Sequence, residues 1–124
     1  MAYGNQAQEY RKNAVLGASP AQLVVMLYDG ALRFIEGGRA AMRAKDLARQ
    51  NEALQRAQRI VSELLGTLDH EKGGEIADKL NAIYLYSRRT LSDARIHRSP
   101  EKIDEVRTLL GEIRDSWAQI CGGE

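Results

Sequence analysis

The sequence predicts an all-α protein, an antiparallel up-down four-helix bundle with a short N-terminal arm or helical cap. Three observations carry this. Apolar residues recur at spacings of three and four over four stretches, with no run alternating as a strand would. Ser-Pro or Asp starts and Gly-containing stops delimit those stretches. The chain of 124 residues has only seven aromatics (Tyr 5, Phe 1, Trp 1) and two Pro, a composition poor for a sandwich or barrel but large enough for one self-sufficient core.

Residues 1–17 are polar and aperiodic apart from Tyr3, Tyr10, Val15 and Leu16, and read as a mobile arm with a helical turn or two around Tyr10. The bundle is expected over 18–121, with a tail at 122–124. Its first helix, 19–44, opens on Ser19-Pro20-Ala21-Gln22, where Ser caps, Pro takes the first helical position and Gln22 completes a capping box. Leu23, Leu27, Gly30, Phe34, Gly38 and Ala41 form the expected inner stripe. Asp29-Gly30 would ordinarily signal a turn, yet the helical phase continues across it, so the dipeptide is read inside the helix, with Gly30, Gly37, Gly38 and Ala41 offering a strip for close packing.

The second helix, 46–68, starts at Lys45-Asp46 and carries Leu47, Gln50, Leu54, Ala57, Val61, Leu64 and Leu68 in heptad register, with Gln50 the one polar member. A polar link from Leu68 to Gly74 reverses the chain. The third helix, 75–97, turns Ile76, Leu80, Ile83, Tyr84, Ser87, Leu91 and Ala94 inward, and Arg88, Arg89, Arg95 and Arg98 crowd towards its C-terminal end, where the helix dipole favours cations. Ser99-Pro100 opens the fourth helix, 99–121, whose inner face is Ile103, Val106, Leu110, Ile113, Trp117 and Ile120 before Gly122-Gly123.

Charge and motif content argue against several functions. A formal charge of +1 gives no reason to expect nucleic acid, and no run approaches the length of a membrane span or a secretory leader, which predicts a soluble cytoplasmic chain without membrane insertion. The lone Cys121 forms no intrachain disulfide, in keeping with a reducing compartment. A di-iron bundle needs inward Glu residues and Glu-x-x-His pairs, which are missing, and neither Gly37-Gly38 nor Gly73-Gly74 opens a phosphate loop. Asp93 and His97 suit a surface ion pair on one helix face, and His70 a solvated link. Ser19 and Ser99 are spent as caps, so no nucleophile, base and oxyanion set remains. No enzyme, metal or cofactor is expected.

Function must then lie on the outside of the bundle, on apolar residues in faces marked polar. Val25 and Leu32 flank Asp29 outside the inner stripe, and Tyr86 falls in line with Glu75, Lys79, Arg89 and Asp93. These positions predict a groove for an amphipathic partner helix, which the arm could cover until displaced.

Several segments resemble one family in order and spacing. They are Tyr10-Arg11-Lys12-Asn13-Ala14-Val15, Ala18-Ser19-Pro20-Ala21-Gln22-Leu23 with Met26-Leu27-Tyr28-Asp29-Gly30-Ala31, Arg56 to Leu64, Leu68 to Ala77, and Arg114-Asp115-Ser116-Trp117. Together they resemble the FliS family of flagellin-specific chaperones of the flagellar type III export system. The resemblance implies a cytoplasmic protein that binds the C-terminal segment of flagellin, prevents premature polymerisation and delivers it to the flagellar export apparatus. It also implies that the arm occupies part of the substrate site when empty. Where the family has a Tyr-Asp-Tyr-Met run this chain has Tyr84-Leu85-Tyr86-Ser87, which removes an acid and sets a Ser inward. The expected partner-binding residues are Tyr10, Asn13, Val15, Val25, Tyr28, Asp29, Leu32 and Tyr86. The rival readings are a structural helical dimerisation module, which would self-associate, or an adaptor for another partner, and beyond these an enzyme or metal carrier with an unfamiliar site.

Overall fold

The structure, a computed structural model, describes residues 17–122. Its four helices are α1 (Pro20–Arg43), α2 (Leu47–Gly66), α3 (His70–His97) and α4 (Pro100–Gly122), with no strand among the described residues. Short links force consecutive helices to run antiparallel. α1 packs on α2 and α4, and α3 packs on the same two, closing a four-membered ring.

The helix starts follow from local chemistry. Ser19 Oγ accepts from the Gln22 amide, while Gln22 Oε1 accepts from the Ser19 amide at 2.8 Å, completing the capping box. Asp46 caps α2 through the Arg49 amide, and Ser99 caps α4 through the Lys102 amide at 3.3 Å. The α3–α4 link is tight enough to hold Arg98 in the left-handed region (φ 50°), unusual for a residue with a side chain.

The start of α3 differs from expectation. Asp69 accepts from the Glu71 and Lys72 amides and nucleates a helical turn from His70, so the polar link is shorter than 68–74. That turn is interrupted at Gly74, whose φ of 50° and ψ of −123° suit glycine and few other residues. His70, expected to be merely solvated, bonds Asp78 across the break at 3.1 Å. Ile76, just past the break, points away from the core and is 70% exposed, contrary to its inward assignment; Ala77 is buried instead.

The core holds Tyr28, Ile35, Leu54, Ala57, Val61, Leu64, Tyr84, Leu91, Ala94, Ile103, Val106 and Leu110. The α2 series is nearly as expected, Gln50 being buried and donating to the Arg95 carbonyl at 3.2 Å, although Leu47 in the first turn is exposed. The α1 stripe is rotated. Tyr28, Ala31 and Ile35 are fully buried, whereas Leu27 and Phe34 are half-buried and Leu23 is exposed. The reason is that α1 touches two neighbours and its apolar face is wide. The stripe through Gly30, Phe34 and Gly38 lies towards α2, where Arg56 stacks over Phe34, and Tyr28, Ala31 and Ile35 sit in the core. Close approach is tightest at Gly38, where a Cβ would fall 2.5 Å from Leu54 Cδ2; at Gly30 it would stand 3.3 Å from Ile60 Cδ1. Ile120, expected inward, lies in the last turns of α4 and is 55% exposed.

Candidate partner-binding surface

The sequence-predicted positions separate into three groups. Tyr10, Asn13 and Val15 lie outside the described residues. Tyr28 is a core residue rather than a partner-facing one. Its hydroxyl meets that of Tyr84 at 2.5 Å, with the rings tilted at 55° and their centroids 6.2 Å apart. Two hydroxyls in an apolar core satisfy each other, which lowers the cost of burying either. Burial, reinforced by Tyr84, pushes the Tyr28 phenol well above its ordinary range, and the nearby Trp117 side chain counters in part. Burial likewise raises Tyr84. One turn beyond Tyr84, Ser87 is inward as expected, and its buried hydroxyl finds no partner among the described residues. Leu32 is half-buried and packs one side against the core.

Asp29 is held within the chain, with Arg114 Nε 2.7 Å from Asp29 Oδ1. The pair belongs to a ladder along the α1/α4 seam. Arg107 bonds Glu36 at 2.8 Å, and Arg39 bonds Asp104 at 3.1 Å. Each step forward along α1 is matched by an equal step back along α4, the register of an antiparallel pair. The Arg39 guanidinium, helped by Arg107, holds Asp104 below the usual carboxylate range against some loss of hydration. Asp29 in turn raises Arg114, through its hydrogen bond and its charge.

Val25 and Tyr86 remain accessible. Val25 lines a cleft of about 360 Å³ between α1 and α4 with Gly17, Gln22, Met26, Ala118 and Cys121. Tyr86 is 39% exposed and donates its hydroxyl to Glu105 on α4, which also raises the phenol's pKa. Asp93, read as a partner for His97, instead meets Lys102 at 3.7 Å.

The more informative surface was missed. In an antiparallel bundle the start of α1, the start of α3 and the end of α4 share one end, and there Leu23, Met26, Ile76 and Ile120 are exposed. Between them lies a second cleft of about 300 Å³, whose apolar walls are Val24, Leu68, Ile76, Leu80, Tyr84 and Trp117. Helical periodicity assigned Leu23, Ile76 and Ile120 inward because it cannot see where a bundle ends. The available signal was their place in the first or last turns, where no neighbouring helix covers a side chain. Among the described residues no three of His, Cys, Asp and Glu gather as a metal site would require, and no helix is long and apolar enough to cross a membrane.

The motif residues Tyr28, Asp29, Tyr84, Arg114 and Trp117 thus meet near this end, as core and seam. The family model "Flagellar protein FliS" matches residues 3–124. The chain is 40% identical over 115 residues to the flagellar secretion chaperone FliS of Salmonella typhimurium, covering 92% of this chain and 85% of that one. It is 36% identical over 124 residues to the protein of the same name from Bacillus subtilis, covering 100% and 92%. The fold is similar to a solved structure described as a flagellar chaperone from bacteria, with a TM-score of 0.79 over 97% of this chain and 98% of that one at 18% identity. The chain belongs to the FliS family of flagellar secretion chaperones.

Proposed function

We propose that the chain is a cytoplasmic export chaperone that binds the C-terminal helical segment of flagellin, holds it back from premature polymerisation and delivers it to the flagellar type III export apparatus. The observation that carries this reading is the apolar end of the bundle, where Leu23, Met26, Ile76 and Ile120 stand exposed around two clefts. A chain awaiting export is unfolded and presents amphipathic segments, and such a segment gains by folding its apolar face onto a preformed groove. Binding of this kind needs apolar area rather than reactive groups, in keeping with a family of chaperones. Val25 and Tyr86 belong to the proposed contact surface, and Tyr10, Asn13 and Val15 to a cover displaced by the substrate.

Calorimetric titration of the full chain with a peptide spanning the flagellin C-terminal segment tests the reading. Binding with a Kd of about micromolar or tighter is expected, and no heat at that level would overturn it. Val25→Asp and Ile76→Lys are each expected to weaken binding by about tenfold, roughly 1.4 kcal/mol, with helicity unchanged. Unchanged affinity in both would reject the end of the bundle as the contact surface.

A further inference from the structure

The outer seam between α2 and α3 carries a basic groove that neither the core nor the family motifs explain. Arg59, Arg88 and Arg89 line a depression of about 480 Å³ together with Gln58, Ser62, Leu85 and Ser92, and no acidic residue lines it. Its floor is rigid. Gln58 Nε2 donates to the Arg88 carbonyl at 2.9 Å and to Ser92 Oγ at 2.6 Å, which ties the two helices together beneath the arginines. Arg88 is further held by a hydrogen bond from Nη1 to Ser62 Oγ at 3.1 Å. Farther along α3, on the face of Arg88 and Ser92, the Arg95 Nε is buried without a partner among the described residues.

The dipole of α3 accounts for Arg95 and His97 in its last turn, but that influence fades within one turn of a helix end. Arg88 and Arg89 lie more than two turns before the helix end at His97. Nor are these charges used internally. Arg56, one turn before Arg59 on α2, is paired with Glu52, and Asp93 is taken by Lys102; Arg59, Arg88 and Arg89 form no ion pair with any described residue, and Glu63, one turn beyond Arg59, forms none either. Like charges gathered on a fixed floor leave a positive potential that a bound anion would relieve.

We propose that this seam docks an acidic segment of a protein partner, its carboxylates engaging Arg59, Arg88 and Arg89 and an apolar side chain resting on Leu85, which is 44% exposed. Guanidinium forks match carboxylates in paired hydrogen bonds, and Arg88 is already held in place. A peptide fits better than RNA because no aromatic ring lines the groove to stack a base, and the whole chain carries a formal charge of only +1. The inference stands apart from the flagellin binding proposed above for the apolar end of the bundle.

Fluorescence anisotropy on the full chain tests it, with a labelled synthetic peptide bearing Glu on one helical face and Leu on the other. The probe is expected to bind, and to weaken as salt is raised. Its Gln-for-Glu counterpart is expected to bind at least about tenfold more weakly. In the chain, Arg59→Glu with Arg89→Glu is expected to produce a loss of about the same size, and the neutral pair Arg59→Gln with Arg89→Gln an intermediate one should the reversal disturb folding. Equal binding of the two peptides, or unchanged affinity in the neutral pair, would overturn the proposal. So would an oligouridylate of similar length binding as tightly as the acidic peptide.

Discussion

The Tyr28 and Tyr84 hydroxyls satisfy one another inside an otherwise apolar core, so removing either alone leaves a buried polar group unpaired. Tyr28→Phe or Tyr84→Phe is expected to cost about 1–3 kcal/mol, whereas the double variant should cost less than the two singles combined. Urea unfolding of all four chains measures this coupling. The pair also sets an alkaline limit. Both phenols are raised above the ordinary 10.0, so the folded state binds more protons than the unfolded chain once pH exceeds that value. Their contribution is fully present below that pH and is lost as pH rises through the folded values. Tyr86, raised through Glu105, contributes with the same sign. The double Phe variant is expected to lose less stability than the parent between neutral pH and strongly alkaline solution; an equal loss would show that the pair does not titrate as described. Tyr28 could not be placed from sequence, since a tyrosine beside Asp29 reads equally well as surface or as core until a second buried hydroxyl is found for it.

At the scale of elements, α1 and α2 are joined where one helix lacks side chains. Gly37 and Gly38 are adjacent in sequence yet meet α2 differently. A Cβ at Gly38 would fall 2.5 Å from Leu54 Cδ2, and one at Gly37 would make ordinary contact with Ala53 Cβ at 3.9 Å. Replacing Gly by Ala inside a helix gains about 1 kcal/mol of propensity, but overpacking costs about 1–3 kcal/mol. Gly37→Ala is therefore expected to raise the urea midpoint and Gly38→Ala to lower or at best preserve it. A rise of equal size in both would show that the helices are not in close contact there. Of the small-residue strip expected from sequence, Gly30, Gly38 and Ala41 are buried and Gly37 is exposed; which glycine bears the contact depends on the rotation of α1 about its axis, and that rotation is set by Tyr28, Ala31 and Ile35 entering the core.

At the scale of the molecule, polar pairing along the α1/α4 seam aligns the first helix with the last. Asp29 with Arg114, Glu36 with Arg107 and Arg39 with Asp104 repeat in one antiparallel register. All are partly exposed, so each stabilises only weakly and weakens further with salt. A double-mutant cycle on Asp29→Ala and Arg114→Ala is expected to give a coupling below about 1 kcal/mol at low salt, falling further at high salt. A salt-independent coupling would mean that the pair is effectively buried. Asp29 thereby helps to fix how two distant segments meet.

The sequence by itself determined the class of fold, the number of helices and the starts of α1, α2 and α4, because apolar period, Ser-Pro and Asp caps, and link length act within one or two turns of chain; the start of α3 at His70 it did not mark. It also determined the family, since the motif segments keep their order and spacing. Only the tertiary structure decided which apolar residues the ring of helices covers. Leu23, Ile76 and Ile120 keep helical period with the core but stand at the bundle end or beyond the break at Gly74, where no neighbour reaches them. It likewise decided that Tyr28 is buried against Tyr84 and that Asp29 pairs with Arg114, because a side chain's partners across more than fifty residues are fixed by packing and leave no local mark.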